Sequence, residues 1–129
     1  MSLKKVTKIP LGVKNKNGRI YSGECFSEIS NRVKEETIFG ELDHPSSFEI
    51  SMARVSHVID KIEIEDNFVN VHATILKTDL GRKLSKSLLN ELVLSPRGSG
   101  IILEDGNLSN YKLYTFDLVK KDTSSFSYE

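Results

Sequence analysis

The sequence predicts an α+β, mostly β fold: a small antiparallel barrel or sheet of about six or seven strands with two helices packed on it. Three observations carry this. Apolar residues alternate with polar ones in several short stretches, two other stretches repeat apolar residues at helical spacing, and turn-forming residues separate them. The helical stretches fall between strands, as in a sheet with helices packed on it.

The 129 residues suit one domain, 1–121, followed by a polar, serine-rich tail, 122–129. Lysine and arginine total 18 and aspartate and glutamate total 18, a balance that gives no basis for polyanion binding. Hydrophobic residues are 38% and charged residues 28%, the ordinary make-up of a water-soluble domain able to bury a core. The single cysteine, Cys25, excludes an internal disulfide framework and suits a reducing cytoplasm. It falls near the start of a predicted helix, where a thiolate can be stabilised, but a small apolar core residue is the favoured reading. No apolar run approaches the ~18 residues of a membrane span, and the N-terminus lacks the apolar segment of a signal peptide.

Along residues 4–13, Thr7, Ile9, Leu11 and Val13 share one face of a first strand, and Pro10 places that strand at an edge or at its own start. Asn15-Lys16-Asn17-Gly18 is a turn. Ser22 is a plausible cap for an amphipathic helix over 24–35, in which Phe26, Ile29 and Val33 recur at helical spacing. Residues 37–42 form a short strand. A polar loop over 45–51, long enough to wall a groove, follows. Residues 55–65 and 68–76 alternate on either side of Glu65-Asp66-Asn67, the pattern of a hairpin. Leu80, Leu84, Leu88 and Leu92 step at i+4 and predict a second helix over 79–91. Val93-Leu94-Ser95 is a short apolar run punctuated by Gly98 and Gly100. Residues 101–104 and 112–119 read as two more strands about the turn Asp105-Gly106-Asn107.

Three stretches carry candidate chemistry. In Gly40-Glu41-Leu42-Asp43-His44-Pro45, proline holds His44 away from helical angles, at a strand end or in a tight turn, where an imidazole can exchange protons near neutral pH. Leu94-Ser95-Pro96-Arg97-Gly98-Ser99-Gly100 supplies a hydroxyl, and Phe116-Asp117-Leu118-Val119 a carboxylate. A hydroxyl at its ordinary pKa is a poor nucleophile. It needs a base within hydrogen-bond reach, and the base needs an orienting partner. His44, Ser95 and Asp117 are of those three types, and a triad is defined by geometry rather than chain order. Asp117 lies on a strand face with Leu113, Thr115 and Val119. If that face is buried, the carboxylate requires a partner, which a histidine would supply; if solvated, it requires none. Arg97-Gly98-Ser99-Gly100 suggests an exposed turn whose backbone N–H groups approach a substrate oxyanion, with Arg97 orienting substrate or pairing with a surface carboxylate. His44, His57 and His72, with Glu41 and Asp43, show no paired metal-ligand spacing, so no metal is expected.

With these stretches in order, and with Asn17-Gly18-Arg19-Ile20-Tyr21 before them, the chain resembles the T4-like prohead (procapsid maturation) serine proteases of tailed bacteriophages over roughly residues 15–125. Those proteases resemble the herpesvirus assemblins in fold, so the resemblance implies an assemblin-like architecture. It implies that His44 is the general base and that Ser95, matching the first serine of a Ser-Ser-Arg-Gly motif, is the nucleophile. Asp117 falls where the third member is expected. It also implies cleavage of scaffold and capsid proteins, and of the protease itself, inside an assembling prohead in the host cytoplasm. Cleavage often follows glutamate in the family, and no cofactor, nucleic acid or membrane is implied; by analogy with the assemblins a homodimer is open, though no stripe in the chain marks its interface. One departure is Pro96, which stands where the family has its second serine and removes a backbone N–H suited to an oxyanion. That departure favours the alternative, a catalytically inactive protein of the same fold serving as a structural or scaffold-binding virion component. The chain also ends at Glu129, as a product trimmed after glutamate would and as a naturally short gene would equally.

Overall fold

In the computed structural model, which describes residues 3–43 and 49–121, the alternating stretches become strands in two sheets. The first has four antiparallel strands, β1 (Lys4–Pro10), β2 (Ile38–Glu41), β3 (Val55–Ile64) and β4 (Phe68–Ile75), in the order β1-β4-β3-β2. The second is a ribbon of two long antiparallel strands, β5 (Leu92–Ile102) and β6 (Leu108–Lys120). Two helices accompany them, α1 (Glu24–Arg32) and α2 (Lys86–Leu89). The mostly β, α+β architecture is thus as the periodicity predicts, although the described strands do not close into a barrel.

β4 keeps strict alternation, with Val69, Val71, Ala73 and Ile75 all buried. Pro10 ends β1 opposite Phe68 on the edge of the sheet, where a missing N–H is harmless. The strand therefore stops short of Val13, which is exposed. In β3 a bulge between Ile59 and Lys61 shifts the period, so that Ile59 and Ile62 both face inward. The buried faces of these strands, of the ribbon and of α1 meet in one core, in which Phe26 of α1 stacks on Phe116 of β6 at 6.1 Å between ring centroids. Cys25 is a buried helix residue beside Phe26.

Several elements differ from their sequence expectation. α1 is capped by the Gly23 backbone rather than by the Ser22 side chain, and it ends at Arg32, where the guanidinium bonds the Leu113 carbonyl at 2.7 Å. The leucine stripe does not form one helix. Thr78 Oγ1 accepts from the Gly81 N–H, giving a 3-10 turn at Gly81–Lys83. Leu84 is then extended, and Ser85 Oγ accepts from the Leu88 N–H to start the single turn α2. Local capping by Thr78 and Ser85 breaks the period, so Leu84, Leu89 and Leu92 are buried while Leu88 faces outward. The glycine-punctuated stretch after Ser95 is not a turn. β5 runs through it, absorbing Gly98 and Gly100 in two register shifts against β6.

The Asn15–Gly18 turn forms as predicted: Asn15 Oδ1 accepts from the Asn17 and Arg19 N–H groups, and Gly18 takes φ 77°. It docks on the β5–β6 turn, where the Ile20 N–H donates to the Gly106 carbonyl at 2.7 Å. Gly106, at φ 96°, lies so close to Gly18 that a Cβ would sit 2.4 Å from its carbonyl oxygen. The Asn-Gly-Arg-Ile-Tyr stretch is therefore a brace between the two sheets' loops, and Tyr21 continues it by packing edge-on against Tyr111. Burial, with Tyr21 adding to it, holds the Tyr111 phenol well above its usual range.

Candidate active site

The β5–β6 register settles which side chains share a face. Leu94 donates its N–H to Thr7 Oγ1, and Leu118 accepts from the Asp43 N–H at 2.8 Å, so neither bonds across this opposite pair. Opposite pairs alternate along an antiparallel ladder. Ser95 with Asp117 is therefore a hydrogen-bonded pair, and Pro96 with Phe116 is not. The Phe116 carbonyl accordingly turns away from β5 and accepts from His57 Nε2 at 2.7 Å. Leu94, Phe116 and Leu118 point into the core, and Ser95, Arg97, Thr115 and Asp117 point to the other face. The register shift at Arg97 and Gly98 takes Leu113 out of that set and into the core.

Ser95 and Asp117 are thus direct cross-strand neighbours, and both are buried. The Asp117 face is not solvated, and the carboxylate has partners. Arg97 grips it with two hydrogen bonds, Nε to Oδ2 at 2.9 Å and Nη2 to Oδ1 at 2.7 Å, and the Glu41 N–H adds a third at 3.0 Å. The exposed turn expected for Arg97 does not form; the residue is buried, because β5 continues as a strand and turns its side chain toward Asp117, Glu41 and the Glu49 carbonyl. Burial opposes its charge, but the hydrogen bonds and charge of Asp117, then of Glu41, hold its pKa above the ordinary value. Gly98 sits in the register shift, where a Cβ would lie 2.5 Å from the Lys112 carbonyl and 2.6 Å from the Tyr111 hydroxyl.

β2 and the residues just after it are stitched along β6 by three links. The Phe39 carbonyl accepts from Thr115 Oγ1 at 2.6 Å, the Glu41 N–H bonds Asp117, and the Asp43 N–H bonds the Leu118 carbonyl. Asp43, at φ 65°, is left-handed, a turn conformation that aspartate tolerates. His44 follows it directly and lies outside the described residues, as do positions 45–48. The chain therefore arrives at His44 from a residue anchored one position beyond Asp117.

Two residues that the sequence reading weighed only as metal ligands prove to be buried and hydrogen-bonded. Glu41 is fully buried, its Oε2 receiving the Arg97 guanidinium and the Ser51 N–H, each at 3.1 Å, and its Oε1 lying 3.2 Å from half-exposed Arg54. The signal was a charged residue alternating with Phe39 on a short apolar strand. His57 stands opposite Gly40, where a Cβ would come within 2.0 Å of its Nε2. The glycine of the Gly-Glu-Leu-Asp-His-Pro stretch thus makes room for the ring. Because Nε2 must donate to the Phe116 carbonyl, Nδ1 accepts from the Ser56 hydroxyl at 2.8 Å. That neutral tautomer agrees with burial pushing the His57 pKa down, against the opposing pull of Phe116 and Asp117. His72, on the other strand of the hairpin, bonds Glu63 at the surface. Among the described residues no three His, Cys, Asp or Glu side chains gather as metal ligands, and no helix is long and apolar enough to cross a membrane.

No family model matches the chain, and no curated protein matches it by sequence. Among solved structures it is similar to the bacteriophage T4 capsid assembly protease, with a TM-score of 0.74 and 20% identity over 91% of this chain and 81% of that one. The two share a fold.

Proposed function

We propose that this chain is a serine endopeptidase of the prohead-maturation type, cleaving scaffold and capsid proteins, and itself, within an assembling phage capsid. Ser95 attacks the peptide carbonyl while His44 takes its proton; His44 then protonates the departing amine. Water, deprotonated by the same histidine, releases the acyl group and restores the serine. Asp117 orients the base, and the backbone of β5 about Gly98 lies toward the substrate. The observation that carries this reading is the register pair Ser95–Asp117, with Asp43, the residue before His44, hydrogen-bonded to the Leu118 carbonyl next to that pair. The fold shared with the T4 capsid assembly protease supports the same substrate class. Co-expression with scaffold and capsid proteins tests it. Specific cleavage is expected, and cleavage that persists in Ser95→Ala would sink the assignment.

The second reading is a catalytically inactive protein of the same fold that binds scaffold. Two observations favour it: Pro96 follows Ser95, and the Asp117 carboxylate is already engaged by Arg97 and Glu41. Stable scaffold binding without any cleavage would support it.

A further inference from the structure

A single guanidinium joins three separate pieces of chain around the candidate site. Arg97 bonds Asp117 on β6, Glu41 at the end of β2, and, through Nη1, the Glu49 carbonyl at 3.1 Å. Glu41 lies just before residues 44–48 and Glu49 directly after them. Glu41 repeats the pattern by accepting from the Ser51 N–H, and Arg54 donates to the Leu42 carbonyl at 2.9 Å. Both flanks of the segment that contains His44 are thus tied to one arginine, two residues from Ser95 on the same strand face.

We infer that Arg97 is the positioning residue of this site: it sets where the chain enters and leaves residues 44–48 relative to Ser95, rather than touching substrate. This deepens the protease reading and, for its kinetic consequence, rests on it. The chemistry of the side chain suits the task. A planar guanidinium can address two carboxylates and a carbonyl at fixed angles, with Asp117 held bidentately; a lysine keeps the charge but offers a single point of attachment. Asp117 and Glu41 are like charges brought together by the fold, and the arginine between them neutralises the repulsion. Arg54, half exposed, completes the charge balance on the outer side of Glu41.

The experiment compares wild type with Arg97→Lys, and with Arg54→Gln as the milder second variant should Arg97→Lys fail to fold. Amide hydrogen exchange is read at Glu41, Asp43 and Ser51, alongside the rate of labelling by a fluorophosphonate probe across pH. In Arg97→Lys those three amides are expected to exchange faster while the β3–β4 hairpin stays protected. The labelling rate is expected to fall on the order of 100-fold at unchanged probe saturation, the scale of a misplacement of about 1 Å. Arg54→Gln is expected to accelerate exchange at Ser51 with a smaller fall in labelling. Unchanged exchange at Glu41, Asp43 and Ser51 in a folded Arg97→Lys overturns the inference, as does faster exchange with full labelling. Wild-type protein that never labels overturns the protease reading instead, and the exchange comparison still decides the role of Arg97.

Discussion

Replacing Pro96 by alanine should make the protein slightly less stable and markedly more reactive. Pro96 faces Phe116 in a pair that exchanges no ladder hydrogen bonds, so its nitrogen points away from β6. Restoring an N–H there adds nothing to the ribbon and breaks nothing in it. Alanine loosens the unfolded chain, at a cost of about 0.4–1 kcal/mol, or about 2–4 °C in melting temperature for a domain of this size. What it adds is a backbone donor one residue past Ser95, directed away from β6, which on the proposed mechanism is available to the oxyanion of a tetrahedral intermediate formed at Ser95. One such donor is worth about 10²–10³-fold in rate when well aimed. Labelling of Pro96→Ala by a fluorophosphonate should therefore exceed wild type on the order of 100-fold, with near-native circular dichroism. Alanine is preferred to serine because it introduces no second hydroxyl. A folded Pro96→Ala that labels no faster than wild type would refute the claim that this position borders the oxyanion.

Three further outcomes follow from packing and charge. Gly40→Ala drives a methyl into His57 and the Phe116 carbonyl, and should lower stability in urea by about 2–4 kcal/mol, with a loss in the Gly40→Ala, His57→Ala double variant smaller than the sum of the two single losses. Because burial depresses the His57 pKa, the unfolded chain binds a proton at higher pH than the folded one. Stability should therefore be full above the ordinary value of 6.5 and decline as pH falls below it, and His57→Gln should flatten that limb of the urea-midpoint profile. Gly106→Ala meets both a left-handed backbone and the Gly18 carbonyl, and should release the Asn15–Gly18 turn, seen as faster exchange at the Ile20 amide.

What was legible in the sequence was whatever a local period could carry. Val69 to Ile75 alternates because one side of β4 faces the core, and Pro10 marks an edge because only there is its nitrogen unneeded. The second helix misled because four leucines at i+4 outvoted Thr78 and Ser85, whose side chains satisfy backbone donors locally and restart the chain twice. Gly98 and Gly100 looked like a turn for a similar reason. A long partner strand can absorb glycines as bulges, and nothing local reveals the partner. The Asp117 expectation was sound in requiring a partner for a buried carboxylate. Arg97 supplies one, two residues beyond the cross-strand neighbour of Asp117. The burial of Glu41 and His57 was invisible for a physical reason: each is buried by contacts more than fifty residues away, with Arg97 and Phe116.

The most direct test of the protease account is where a fluorophosphonate attaches. Wild-type protein, at low and at high concentration, should carry the label on the peptide containing Ser95, and Ser95→Ala and His44→Ala should remain unlabelled while folded. Folded wild type that stays unlabelled even when concentrated, or a label found on any serine other than Ser95, would contradict it.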